Sequence, residues 1–535
     1  MNVMIHVQNL SFNLGSRSIW ENVSFIISSG EILSIVGKNG CGKSTLLKVL
    51  SNHEQASGGL ITHTQSIRIG YLAQETEQQE RDVNVFAYLI NANPSLRELK
   101  HKLDQNPSLI ELWNQYQEKG GFELEQKIEQ YRKGFSFPDN FLALSIHHLS
   151  GGERRLISIF QLFLNDYDLY LLDEPTNDLD LAKIQFLETE IIRQKGCKKS
   201  FLIVSHDRFF LNQITDRILR FHHGSTDIVI GNYNNLIEQE AMEEACSKRQ
   251  VEVIEKSIDK RKRELALKTQ WTQQFKKQRK LFRMKNGTSG IEKDYGQKDL
   301  ERHKTQACKR VGKEIEELKQ IKPVMEIASS IRFPGYIVPN KNIVTLENAS
   351  LFRGQKKLLH SVFLSITTRD RLILMGENGS GKTTLIQALL GNHPLKEGIR
   401  KVNPCSLFFY IPQEIRKLFL KGSLLSHFPY PFDLETVRNY LSANGIPGER
   451  HFDSVTLFSP GELMKAAFMK AVLLHTDFLF LDEPTNHLDI PTIIALEKAL
   501  LEFPGGYLIA THDRSLIQTL GKQKLIIEQK TLFYS

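Results

Sequence analysis

The sequence predicts an α/β protein built from two tandem cassettes of one design, joined by a long α-helical hairpin. Three observations predict it. The first is an internal repeat. Gly37-Lys38-Asn39-Gly40-Cys41-Gly42-Lys43-Ser44 recurs as Gly376-Glu377-Asn378-Gly379-Ser380-Gly381-Lys382-Thr383, 339 residues later. The second is a pair of short apolar runs, Leu169-Tyr170-Leu171-Leu172 and Phe478-Leu479-Phe480-Leu481, each followed by Asp-Glu. Such runs suit strands buried on both faces of a parallel sheet, with ligands at their carboxyl ends. The third is a charged stretch between the copies, from Leu236 to about Met284, that lacks Pro and Gly.

The repeat sets the domain organisation. Gln74 recurs as Gln413 at the same spacing of 339, but Ser150 and Ser459, like Asp173 and Asp482, are 309 apart. The first copy therefore carries about 30 extra residues, placed within 82–140 and read as largely helical. The expected division is a first cassette at 1–237, a basic hairpin linker at 238–325, a connector at 326–341 and a second cassette at 342–535. In the linker, Leu236 to about Met284 reads as one helix and Asn286-Gly287-Thr288-Ser289-Gly290 as a turn. A second helix is expected from about Gln297 to Lys322, stopped by Pro323. Leu265, Leu267, Trp271, Phe275, Leu281 and Phe282 are its expected apolar anchoring points.

Charge is concentrated in the same place. Lys248 to Lys313 holds 21 Lys and Arg against 8 Asp and Glu, an excess larger than the +8 of the whole chain. This points to an anionic partner, nucleic acid or ribosome. No apolar run approaches the roughly 20 residues that span a bilayer, so no span is expected, and the long basic linker argues against a stable membrane partner. Met1 to Ser11 alternates as a first strand does and lacks a signal-peptide core. The five cysteines are scattered, with no CxxC pair, which fits a reducing, cytoplasmic setting.

The repeated motif is a phosphate-binding loop. Its glycines turn backbone N–H groups inward, and the following helix adds positive potential. Lys43 and Lys382 are expected to reach the β- and γ-phosphates of ATP. Ser44 and Thr383 are expected to ligate Mg²⁺, with Thr45 and Thr384 nearby. Asp173 and Asp482 are the other candidate Mg²⁺ residues, and Glu174 and Glu483 can polarise the attacking water. His206 and His512 follow the next predicted strands and are candidates for contact with the γ-phosphate or with those glutamates.

Leu149-Ser150-Gly151-Gly152-Glu153 resembles the ABC signature motif, and Phe458-Ser459-Pro460-Gly461-Glu462 resembles its second copy. Glu174-Pro175-Thr176-Asn177-Asp178-Leu179-Asp180 and Glu483-Pro484-Thr485-Asn486-His487-Leu488-Asp489 resemble the run that marks ABC-F proteins. Two fused cassettes with a basic hairpin between them are similar to the ABC-F family of ribosome-binding ATPases. The resemblance implies a monomer whose cassettes pair head to tail, with ATP held at each interface. One site would join Gly37 to Ser44, Gln74, Asp173, Glu174 and His206 to the Ser459 segment. The other would join Gly376 to Thr383, Gln413, Asp482, Glu483 and His512 to the Ser150 segment. Gly151, Gly152, Glu153, Gly461 and Glu462 would complete the two caps. The linker would contact rRNA or tRNA through a tip that includes Lys280, Phe282, Arg283 and Lys285, and could protect the ribosome from antibiotics.

Two positions depart from the family pattern. Pro460 replaces a glycine, which removes a donor but is tolerated in a first helical turn. Asp178 stands where the second copy has His487. Phe12 and Phe352 are candidates to stack on adenine, with an ordinary core aromatic as the alternative for each. A housekeeping translation factor without a resistance role, the tandem ATPase subunit of a membrane importer, and a DNA-maintenance ATPase are the alternative functions.

Overall fold

A computed structural model of the chain describes residues 3–64, 67–74, 83–91, 93–106, 108–222, 225–286, 337–428 and 433–535. Met1–Asn234 and Ser329–Ser535 form one compact unit, and Asn235–Ala328 forms another.

Within the first unit, each copy builds a six-stranded sheet of the same order. In the first copy the strands lie as Ile69–Leu72, Leu169–Asp173, Ser200–Val204, Ile32–Val36, Arg217–His222 and Ser225–Ile230. The second copy repeats this with Phe408–Ile411, Phe478–Asp482, Gly506–Ala510, Arg371–Gly376, Gln523–Glu528 and Thr531–Tyr534. All neighbours are parallel except the last pair of each sheet. A three-stranded antiparallel sheet accompanies each, formed by Arg17–Ser28, Val3–Leu14 and Gly58–His63 in the first copy.

Side chains that alternate along a strand go to opposite faces. Leu169 and Leu171 join one core with Leu33, Ile35, Leu202 and Val204. Tyr170 and Leu172 join another with Ile32, Phe201 and Ile203. A strand covered on both sides must be apolar throughout, which is why the motif strands read as unbroken hydrophobic runs.

The insertion in the first copy is helical, with Val85–Ile90, Pro94–Gln105, Ile110–Glu118 and Gly121–Gly134. It carries a small core of its own around Leu96, Leu99, Leu103 and Tyr116. The corresponding part of the second copy has the helix Leu434–Ala443 among short 3₁₀ turns.

Two largely buried ion pairs cross between the copies. Arg208 reaches Glu497 with one Nη1–Oε2 bond of 3.1 Å, and Arg514 reaches Glu188 with one of 3.4 Å. The Arg514 guanidinium also lies over the Phe209 ring, 4.1 Å from its centroid.

Tyr233–Asn286 is a single 54-residue helix, about 80 Å long at 1.5 Å per residue, whose first two residues belong to the first unit and the rest to the second. It starts three residues before the predicted Leu236 and ends two past Met284. Asn212 accepts from the backbone N–H of Asn234 in its first turn, at 3.2 Å. Val251 and Ile258, seven residues apart, are buried on one face. Leu267, expected as an anchoring point, is 65% exposed. It stands nine residues past Ile258, which turns it about 180° from that stripe at 3.6 residues per turn. The predicted turn from Gly287 and the second helix lie outside the described residues, as do the side chains of Lys280, Phe282, Arg283 and Lys285.

Removing one partner of a buried pair leaves an uncompensated charge, at a cost of about 3–5 kcal/mol. Glu188→Ala and Glu497→Ala should each lower the denaturant midpoint of the paired cassettes by a loss of that order. Losses below about 1 kcal/mol at both positions would show that the pairs do not hold the copies together.

Candidate functional site

Each phosphate loop runs from a buried strand into a helix. In the first copy Gly40 and Gly42 have φ of +78° and +89°, and the helix Lys43–Leu50 starts directly after them. A Cβ at Gly42 would lie 2.5 Å from Trp20 Nε1, so glycine is required by space as well as by backbone angle. Gly379 and Gly381 repeat the geometry before Lys382–Leu390. Both lysines are buried and fold back on their own loops. Lys43 Nζ donates to Gly37 O at 2.7 Å and Lys38 O at 3.0 Å. Lys382 Nζ donates to Gly376 O at 2.8 Å and lies 2.7 Å from His512 Nε2.

The next strand delivers the acids. Burial raises the carboxyls of Asp173 and Asp482, and the Ser44 and Thr383 hydroxyls beside them oppose that rise. Both carboxyl oxygens of Asp173 and Oδ1 of Asp482 are buried without a hydrogen bond of normal geometry. An unsatisfied carboxylate beside a hydroxyl is a donor set that fits Mg²⁺, which prefers hard oxygen ligands and takes few from protein. A bound Mg²⁺ would supply positive charge to the phosphates and to this acidic pair.

Glu174 and Glu483 hold left-handed backbone, with φ of +50° and +45°. The shape is fixed by bonds from Glu174 N to Val204 O and from Glu483 N to Ala510 O, each 2.8 Å. His206 N donates to Glu174 Oε2 at 3.2 Å, and His206 Nε2 lies 3.4 Å from Oε1. His512 Nε2 stands 3.4 Å from Glu483 Oε1. Burial pushes Glu174 up to about 8 and Glu483 to about 7, against the pull of Lys43 and Lys382. Burial, with the same lysines, pushes both histidines down to about 3. They are therefore neutral imidazoles at pH 7, able to accept or donate a hydrogen bond beside the glutamates.

The signature segments begin helices, Gly151–Leu164 and Pro460–Leu473. Ser150 and Ser459 are their N-caps, and Glu153 and Glu462 close capping boxes with them. Those two carboxylates are thus engaged in the caps. Pro460 sits at the first helical position, and the matching Gly151 has nothing within 4 Å of where a Cβ would be. The site has room for the proline ring.

The copies meet head to tail. Asn39 N donates to Asp489 Oδ2 at 3.0 Å, and Asn39 Nδ2 donates to His487 O at 3.1 Å. Asn378 Nδ2 answers with a 2.7 Å bond to Asp178 O. A cavity of about 1260 Å³ runs between the copies, lined by Lys43, Gln74, Ser150, Lys382, Gln413 and Pro460 among others. Thr45 and Thr384 line it too, whereas Ser459, Gly461 and Glu462 do not. Phe12 lines it from a buried position against Trp20, with ring centroids 5.7 Å apart. Phe352 does not line it and lies under Lys357 and Lys396.

A family profile described as ABC transporter matches residues 20–177 and 359–486. The chain belongs to the ABC ATPase family. It is a tandem member of the ABC-F type and hydrolyses ATP. Probable ATP-binding protein YheS of Escherichia coli (strain K12) is 29% identical over 537 residues, covering 96% of this chain and 77% of its own. Ribosome protection protein VmlR of Bacillus subtilis (strain 168) is 26% identical over 539 residues, covering 98% and 87%. A solved archaeal ribosome recycling factor, aABCE1, aligns with a TM-score of 0.60 at 19% identity, over 97% of this chain and 87% of that one. That likeness shows the fold.

Sequence reasoning missed how this ABC ATPase completes its phosphate loops. Asp489 and His487 bond Asn39, and Asp178 bonds Asn378, yet only the repeated run after each glutamate hinted at them. It also missed Arg155, which is buried within the first cassette.

Glu174→Gln with Glu483→Gln should leave ATP binding intact and lower turnover by about 10²-fold or more, measured by phosphate release beside nucleotide titration. A pH effect follows from the histidines. Their folded pKa lies below the unfolded value, so unfolding takes up protons between about pH 6.5 and 3. Their contribution is full above 6.5 and lost as pH falls. Between pH 7 and 5 the thermal midpoint of His206→Gln/His512→Gln should drop less than that of the wild type. An equal drop would mean the imidazoles are not buried neutral.

Proposed function

We propose that this ATPase binds the ribosome through its basic linker, and that ATP-driven pairing of the cassettes holds the linker in a ribosomal site until hydrolysis releases it. The observation that carries this reading is the 54-residue helix and its charge. Lys248, Arg249, Lys256, Lys260, Arg261, Lys262 and Arg263 are all exposed on it. Surface lysines and arginines at this density neutralise phosphates, which gives steeply salt-dependent binding. The names of VmlR, a ribosome protection protein, and of the archaeal recycling factor support the same direction.

In this reading the working parts are cassettes at 1–237 and 342–535, a linker at 238–325 and a connector at 326–341. Ser44 and Asp173, or Thr383 and Asp482, would hold the Mg²⁺ that accompanies each ATP. Glu174 and Glu483 orient the attacking water, and His206 and His512 steady the γ-phosphate. The segment around Lys280, Phe282, Arg283 and Lys285 contacts rRNA or tRNA. Protection of the ribosome from an antibiotic is the outcome we favour over a housekeeping role, with VmlR as its support.

The test uses the double Glu→Gln variant, which should sediment with ribosomes in ATP and dissociate as salt rises. Absence of the variant from the ribosome pellet in ATP at low salt would refute the reading. Deleting Lys280 to Gly290 should abolish protection of translation from ribosome-targeting drugs while ATP turnover survives. Chelation of Mg²⁺ should stop turnover and be reversed by adding the ion back.

A further inference from the structure

One buried cation in the first cassette has no counterpart in the second. Arg155 lies on the signature helix Gly151–Leu164, five residues after Ser150, and is buried. Its guanidinium donates to four backbone carbonyls. Nη1 reaches Ala73 O and, at 3.1 Å, Gln74 O. Nη2 reaches Asp173 O and, at 3.2 Å, Glu174 O. The position 309 residues on is Met464, equally buried but within an apolar cluster. A thioether donates no hydrogen bond. In the second cassette the turn after Gln413 is tied to the signature segment by Arg416, which donates to Thr456 O and Phe458 O. Those bonds do not reach the acidic strand.

We propose that Arg155 is a positioning residue that makes turnover at the first phosphate loop respond to occupancy of the second. A Cβ at Gly152 in the first signature helix would lie 2.7 Å from Asp178 O, which accepts from Asn378 of the second loop, so the first signature helix answers to nucleotide at the second loop. The planar fork of Arg155 ties that helix to the backbones of Gln74, Asp173 and Glu174, which serve Lys43. Five residues of helix and one rigid guanidinium thus join the two sites. Met464 leaves the opposite path without such a tie. Binding linkage between sites is reciprocal, but an effect on turnover need not be.

The inference rests on the assignment of Glu174 and Glu483 to separate sites, and the test separates the two claims. Full-length protein carrying Glu483→Gln should turn over only at the first site, and Glu174→Gln only at the second. If neither single variant retains turnover, the assignment fails and the inference with it. Where each does, Arg155→Met should lower the first-site rate about tenfold with KM for ATP changed less than twofold. In the Glu174→Gln background the same change should alter the rate less than twofold. Arg155→Lys keeps the charge but not the fork, and should recover no more than about a third of the lost rate. Equal losses in the two backgrounds, an unchanged first site, or full rescue by lysine would each overturn the proposal. If Arg155→Met fails to fold, Arg155→Lys decides it: a kcat loss confined to the first site supports the proposal, and no loss or equal losses overturn it.

Discussion

Each phosphate loop in this protein is completed by the other copy. Asn39 is bonded through its backbone and its side chain to the loop after Glu483, and Asn378 is bonded to the loop after Glu174. Those receiving loops are strained. Glu174, Asp178, Glu483 and His487 all have positive φ, a conformation that costs roughly 1–3 kcal/mol at each non-glycine residue. It persists because the strands before it are buried on both faces and because Val204 and Ala510 fix the glutamate N–H groups. The strain turns each carboxylate toward the cleft and presents the carbonyls of Asp178 and His487 to the opposite asparagine.

The same geometry ties the histidines to the interface. Arg208 follows His206 by two residues and grips Glu497. Glu497 lies on the helix Ile490–Glu502, which begins right after Asp489, the acceptor of Asn39. Arg514 and Glu188 repeat the arrangement on the other side. Placing a histidine beside its glutamate and bringing the opposite loop onto the asparagine are therefore parts of one rigid contact. Burying charged pairs seldom adds net stability over apolar packing, but a pair of this kind specifies one relative position of two surfaces.

The parts that were legible in the sequence are local. A glycine-rich turn before a helix and an apolar strand ending in Asp-Glu each state their geometry within about ten residues. The long helix was legible because nothing in it breaks a helix, and its ends moved by only a few residues. Leu267 was misjudged because anchoring depends on which face of the helix is covered, and composition does not give that. The bonds made by Asn39, Asn378 and Arg155 join residues between 18 and 450 positions apart. No periodicity encodes such a bond. The capping boxes of Ser150 and Ser459 were encoded locally, as Ser-x-x-Glu, but the family resemblance drew attention to the serines instead.

The two copies carry the same candidate acids, lysines and histidines but support them differently. Lys382 lies 2.7 Å from His512, whereas Lys43 bonds its own loop and His206 turns to Asn39. Pro460 opens one signature helix where Gly151 opens the other, and a helical insertion with its own small core precedes the latter. Arg155 stands where Met464 does. Apart from the insertion, each difference lies one residue or one hydrogen bond away from a candidate site residue that the copies share. Two sites with the same acids and lysines but different scaffolds have no reason to share one rate.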